Sequence, residues 1–168
     1  MNNGFIKYQN GDEAIGTRLV KFSNAKHYIL LVGIHEDENG KWQWRKDYYG
    51  DMPTKERLKT DIEELINSQT DESILKGLVW NDIPVWLATE NQINIKAAYD
   101  LAYQNDGRIL PIRFKLGEDE SGNPIYFDFT DMVTFGDFYT ACVQWIQACI
   151  NDGWNEKDSI DYDKLIGE

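Results

Sequence analysis

Cysteine is scarce in this sequence, and the two that occur, Cys142 and Cys149, lie in a segment of helical periodicity. Seven helical positions stack them on one face roughly 10 Å apart by helical rise, beyond the ~7 Å that a disulfide spans. A bridge between them is excluded, and both are expected to be small core residues in a reducing compartment. Positive charge is also in short supply. With 17 basic residues against 29 acidic ones, the net charge is −12, and no stretch gathers Lys and Arg into a patch. Such a surface repels phosphate backbones, so no nucleic-acid partner is expected. No run approaches the roughly 18 apolar residues of a membrane span, and Met1 to Lys7 lacks the basic-then-apolar order of an export signal. No membrane partner is expected, and synthesis and folding are placed in the cytoplasm.

What the sequence does have is 42% hydrophobic residues in 168, enough for one core or for two small ones. Aromatic residues make up 13%, including six Trp and nine Tyr, which favours rigid packing and contact surfaces.

The N-terminal third alternates β-branched or aromatic residues with polar ones over Phe5 to Tyr8, Ile15 to Phe22, Tyr28 to Ile34 and Lys41 to Tyr48. That period predicts strands, and edges such as Phe5 to Tyr8 could pair with another chain. Glu36-Asp37-Glu38-Asn39-Gly40 separates the last two, with Asn39-Gly40 suited to a tight turn. From Thr54 to Gln69 the period changes. Leu58, Ile62, Leu65 and Ile66 mark an amphipathic helix behind Pro53, which Thr70 to Ser73 can end or re-cap before Gly77.

Leu78-Val79-Trp80 and Ile83 to Leu87 flank Asn81-Asp82 as a short hairpin, its second strand of edge type because Pro84 has no N–H. Thr89-Glu90-Asn91-Gln92 fits a capping box for a helix to about Asn105, with Ile93, Ala97 and Leu101 as its apolar row and Ala98 and Ala102 beside it. A second hairpin joins Ile109 to Leu116 with Ile125 to Phe129 across an acidic loop. Thr134 and Asp137 suggest a cap for a further helix, whose buried stripe is Phe135, Phe138, Cys142, Trp145, Ile146 and Cys149. Asn151 to Glu168 reads as an acidic tail, held by Trp154, Ile160, Tyr162 and Leu165.

The fold expected is therefore α+β, with antiparallel hairpins packed against amphipathic helices. A β-rich part, residues 1–76, ends in a helix and precedes a ββαββα domain, residues 77–168.

The stretch from Leu75 through Leu87, followed by Glu90 through Asp100, resembles a bacteriophage and prophage domain family of unknown function. That family occurs in tail-fibre-associated proteins and in short stand-alone proteins of gut Bacteroides and their phages. Leu110 to Lys115 and Gly153 to Asp161 look like its later landmarks. The likeness covers roughly residues 70 to 165, and 5 to 50 look like the β-rich leader of the stand-alone members. Where such sequences commonly carry Asn-Gly, this one has Asn81-Asp82, so a turn longer than two residues is expected. The resemblance implies a virion or assembly role and no enzymatic residue.

Candidate chemistry is thin. Ser73-Ile74-Leu75-Lys76 has the spacing of a Ser/Lys nucleophile pair without that class's partner motifs, which favours a helix end. His35 could meet Asp37 as an acid/base or metal pair, but nothing fixes a nucleophile beside it. In a calcium frame around Gly40, His35 and Lys46 fall on the first and last ligand positions, and the frame around Gly122 begins at Gly117, so both fail. No catalytic, cofactor-binding or metal-ligating residue is assigned. Trp42 and Trp44 share a strand face and, with Trp80, Trp86 and Trp154, are the candidate anchors for a protein partner. The expected function is a non-enzymatic virion-associated adaptor of the tail or fibre region, docking onto other phage proteins and possible as a homo-oligomer. A transient fibre-assembly chaperone and a small hydrolase using His35 are the alternatives.

Overall fold

The computed structural model describes residues 5–7, 17–21, 26–37 and 40–167, with the backbone alone for 5–7, 34–37 and 40–42. The architecture is α+β, with antiparallel hairpins alternating with helices. By its internal contacts the chain divides into one unit of residues 1–65 and 156–168 and another of residues 66–155. That division falls between Leu65 and Ile66, inside the first long helix and not at residue 76, and the end of the chain groups with the first unit.

In the first unit, β1 (Phe5–Lys7), β2 (Arg18–Lys21), β3 (His27–Asp37) and β4 (Gly40–Tyr49) form an antiparallel sheet of order β1-β4-β3-β2, leaving β1 at an edge. Register sets Tyr28, Leu30 and Val32 opposite Tyr48, Lys46 and Trp44, which places these six on one face. The pairing shifts between Val32 and His35, and Gly33 there takes φ +54°, a bulge geometry that costs glycine least. Pairing continues to Asp37 and Gly40, so the expected five-residue loop contracts. The Asn39 turn, like Tyr8, Ile15 and Phe22 at the expected strand ends, lies outside the described residues.

Helix α1 (Lys55–Lys76) starts behind Thr54, whose Oγ1 accepts the Arg57 amide at 3.2 Å. It buries Leu58 and Ile62 within the first unit. The helix does not end at Gln69. Thr70 to Ser73 cost only a few tenths of a kcal/mol each in a helix interior, and nothing breaks the chain before Gly77, whose amide donates to the Ser73 carbonyl. A methyl group at Gly77 would collide with the Trp145 ring, so glycine at the end of this helix admits the indole.

The second unit has the expected ββαββα order: β5 (Leu78–Trp80), β6 (Ile83–Val85), α2 (Thr89–Gln104), β7 (Ile112–Glu118), β8 (Pro124–Phe129) and α3 (Met132–Asp158). Asn81 and Asp82 both adopt positive φ, 49° and 62°, and Trp80 pairs with Ile83. The turn is therefore two residues long, contrary to the expectation drawn from Asp82. Tight pairing on either side imposes a conformation that Asp tolerates at modest cost. The two hairpins meet where the Trp86 amide donates to the Leu116 carbonyl at 2.7 Å. Gly117 permits this approach, because a Cβ there would overlap the Pro84 carbonyl oxygen.

Phe129, Phe135 and Phe138 are fully buried at the centre of this unit, with Trp80, Leu87, Ile95, Ala102, Leu116 and Cys142 around them. The α3 stripe is as expected, with Phe135, Phe138, Cys142 and Cys149 buried and Trp145 and Ile146 partly so. Two caps are shifted. Thr89 is the first helical residue of α2 and Ala88 the N-cap, without a side-chain bond, while Gln92 and Asn91 donate back to the Leu87 and Trp86 carbonyls. Asp131 caps α3 and takes the Thr134 amide and hydroxyl, so Thr134 lies inside the helix.

The segment after Asn151, expected as an acidic tail, is largely helical, and Leu165 in it is buried. Helix α3 continues to Asp158, and α4 (Tyr162–Gly167) follows behind Asp161, which accepts the Lys164 amide. Gly153 sits within α3 because a Cβ there would stand 2.5 Å from the Thr70 hydroxyl oxygen. Its role is close helix packing.

Candidate interaction surface

Helix α2 is apolar on two opposite sides. Ile95 and Ala102 are buried, with Ala98 and Tyr99 partly buried beside them, and this row faces the core. Ile93, Ala97 and Leu101, spaced by four, form a second row on the far side of the helix. Ile93 is 61% exposed and Leu101 49%, and Ala97 between them is also exposed. The expected core row is thus the outer one, a correction with a simple cause. Both rows have helical spacing, and only the position of the hairpins decides which is covered.

Around the outer row stand Glu90 and the Lys96–Asp100 ion pair, both exposed. Tyr103, one turn from Tyr99, is exposed as well, while Tyr99 stacks on Tyr139 with ring centroids 4.5 Å apart. A helix normally turns a charged or polar side to water, so an aliphatic row at this position is the kind of surface that protein contacts cover.

The candidate tryptophans separate. Trp80 belongs to the core, edge-on to Phe127 and Phe138 at 5.1 and 5.0 Å, so its indole is consumed by packing and it is removed as an anchor. Trp86 is 36% exposed, with the Lys115 ammonium over its ring at 5.4 Å, a cation–π contact at the surface. Trp154 is 57% exposed on α3. Trp44 is half-buried in the first unit. Trp42 and His35 pair with each other across β3 and β4, but their side chains lie outside the described residues. Sequence reasoning missed Ile93, Leu101 and Tyr103 as surface residues, and no local signal distinguishes them from core.

Several polar clusters are committed to the fold. Asp61 is buried to 3% exposure and accepts from Lys46 Nζ at 2.6 Å, Tyr48 Oη at 2.6 Å and Arg57 Nε at 3.1 Å. Burial pushes its carboxyl up, but the hydrogen bonds from Lys46 and Tyr48 and the charges of Lys46 and Arg57 outweigh it and hold it below the ordinary value. Burial and the Asp61 bond raise the Tyr48 phenol in turn. On β3 and β4, His27 Nε2 lies 2.7 Å from Asp47 Oδ1, and Arg45 donates to both Asp47 oxygens at 2.9 and 2.7 Å. The Arg45 hydrogen bond holds the Asp47 carboxyl low against the opposing effect of burial, and His27 adds to it. This cluster ties the start of β3 to the end of β4.

Ser73 accepts through its carbonyl from Gly77 and from the Trp145 indole at 3.1 Å, which is a helix-end arrangement. In the loop after β7, Asp119 takes the amides of Ser121 and Asn123 and the Asn123 side chain, so its oxygens close the turn. Among the described residues no group of three or more His, Cys, Asp or Glu is placed to hold a metal ion. Both cysteines are buried, and burial pushes the Cys142 thiol up to about 12. A thiol so placed stays protonated and is a poor nucleophile at neutral pH. Among the described residues no helix is long and apolar enough to cross a membrane.

No protein-family model, no curated protein and no solved structure matches the chain.

Proposed function

We propose that this chain is a non-enzymatic docking protein of a bacteriophage or prophage particle, acting in the tail or fibre region through protein–protein contact. The observation that supports docking is the exposed Ile93-Ala97-Leu101 row of α2, on a helix whose opposite side already completes the core. The partner that fits it is a protein with an apolar ridge rimmed by Lys and Arg. Aliphatic contact supplies the affinity, and the net charge of −12 steers a basic rim toward the chain. The phage setting rests on the resemblance of Leu75 to Leu87 and Glu90 to Asp100 to the tail-fibre-associated family. On this reading the chain is in the host cytoplasm during synthesis and in the particle afterwards.

Quantitative mass spectrometry of particles purified from the producing strain tests this reading. The chain is expected at a fixed copy number relative to a tail protein. Its complete absence from mature particles would remove the virion role and leave a transient assembly factor in its place.

A further inference from the structure

Helix α4 is too short to stand alone. Its 6 residues close too few backbone bonds to offset the ordering they require, so Tyr162–Gly167 is helical only while it lies against the rest of its unit. Asp161 starts it, accepting the Asp163 and Lys164 amides at 3.1 and 3.0 Å, and a turn at Ser159 and Ile160 joins it to α3. It packs against β2, the edge strand of the first unit's sheet, with Leu165 as its buried anchor at 4% exposure. The Lys55–Asp163 ion pair adds little, because both side chains are open to water.

One group in this packing opposes it. The Tyr162 hydroxyl oxygen is buried and has no hydrogen-bond partner. Burial and the Glu63 charge push its pKa up, so it stays a neutral hydroxyl that needs a partner and lacks one. Water supplies that partner once α4 lifts. Arg18 Nε, on the strand that α4 leans against, is the other buried side-chain polar atom without a partner among the described residues. The contact of α1 with the same sheet is unlike this, since Asp61 there accepts from Lys46, Tyr48 and Arg57.

We propose that α4 is a releasable strap, which detaches from β2 and unwinds while the sheet and α1 stay folded. Hydration of the Tyr162 hydroxyl and the freedom regained by the chain favour release, and burial of Leu165 is the main force against it. The open form presents Leu165 and the part of β2 that α4 covers, apolar surface that the closed form keeps from water.

Amide hydrogen exchange of the full chain, read by mass spectrometry on peptides covering Tyr162 to Gly167, tests the strap. These amides are expected to exchange at least about tenfold faster than those of α1 from Leu58 to Ile62, because they open without the rest of the unit. Tyr162→Phe keeps the ring and removes the stranded oxygen, so exchange in α4 should slow by about tenfold. Leu165→Ala should speed it by at least about tenfold and leave Leu58 to Ile62 as they were. Amides in α4 as well protected as those of α1 would show that it opens only when the whole unit unfolds, which overturns the inference. So does a Tyr162→Phe chain whose α4 exchanges as fast as the wild type's or faster, or a Leu165→Ala chain that loses protection in α1 as well.

Discussion

Phe129→Ala is expected to destabilise the second unit by about 4 kcal/mol, near the top of the range for a single core truncation. The ring is fully buried and touches aromatic neighbours on every side, with centroids 4.7 Å from Phe135, 4.8 Å from Phe127 and 4.9 Å from Phe138. Phe129 closes the end of β8, Phe135 and Phe138 rise from the first turns of α3, and Trp80 comes from β5, so one ring links three elements. Those elements are held by backbone bonds and cannot collapse into the space, which is why most of the cavity cost should persist. Urea unfolding followed by tryptophan fluorescence reports it through Trp80, which lies in contact with the lost ring. A loss below about 1 kcal/mol would mean that the aromatic cluster is loosely packed.

The second large effect belongs to Asp61. Asp61→Ala removes the shared acceptor of Lys46, Tyr48 and Arg57, and about 3 kcal/mol of stability should go with it. Lys46 and Arg57 keep partial access to water, but the Tyr48 hydroxyl loses its acceptor in a half-buried position. The pH dependence has a definite sign. Because the folded carboxyl is held below its ordinary value, its contribution is complete above the unfolded value near ~3.9 and disappears as pH falls through the lower folded one. Wild-type stability should therefore fall more steeply than that of Asp61→Ala below about pH 4, and the two curves should converge in acid. Parallel curves from pH 7 down to pH 2 would show that Asp61 contributes no linked proton.

Much of this fold is legible in the sequence wherever two independent signals agree. The α3 stripe combines helical spacing with large aromatics, and the hairpins combine alternation with turn residues. Chain breaks are harder to read. Thr70 to Ser73 and Asn151 to Gly153 carry residues that favour helix ends, yet both stretches lie inside long helices, because packing of Gly153 against Thr70 outweighs their weak local preference. The candidate interaction surface is the least legible part. Ile93-Ala97-Leu101 and Ile95-Ala98-Ala102 are both apolar rows at helical spacing, and a period says nothing about which row the sheet will cover. Trp80 and Trp154 are the same residue type, and only tertiary position makes one a core residue and the other a surface one. Ion pairs such as Lys46–Asp61, which join a strand to a helix, leave no mark at all in local pattern.

The docking proposal meets its most direct test in co-purification of the tagged chain with the products of its neighbouring genes, wild type beside Ile93→Asp/Leu101→Asp. Both substitutions fall on exposed positions, so the two proteins should share one circular dichroism spectrum and differ in what they retain. The wild type is expected to hold a tail or fibre protein in constant ratio and the double variant to lose it. Equal retention by both, or no particle protein held by the wild type, would contradict docking through the outer face of α2.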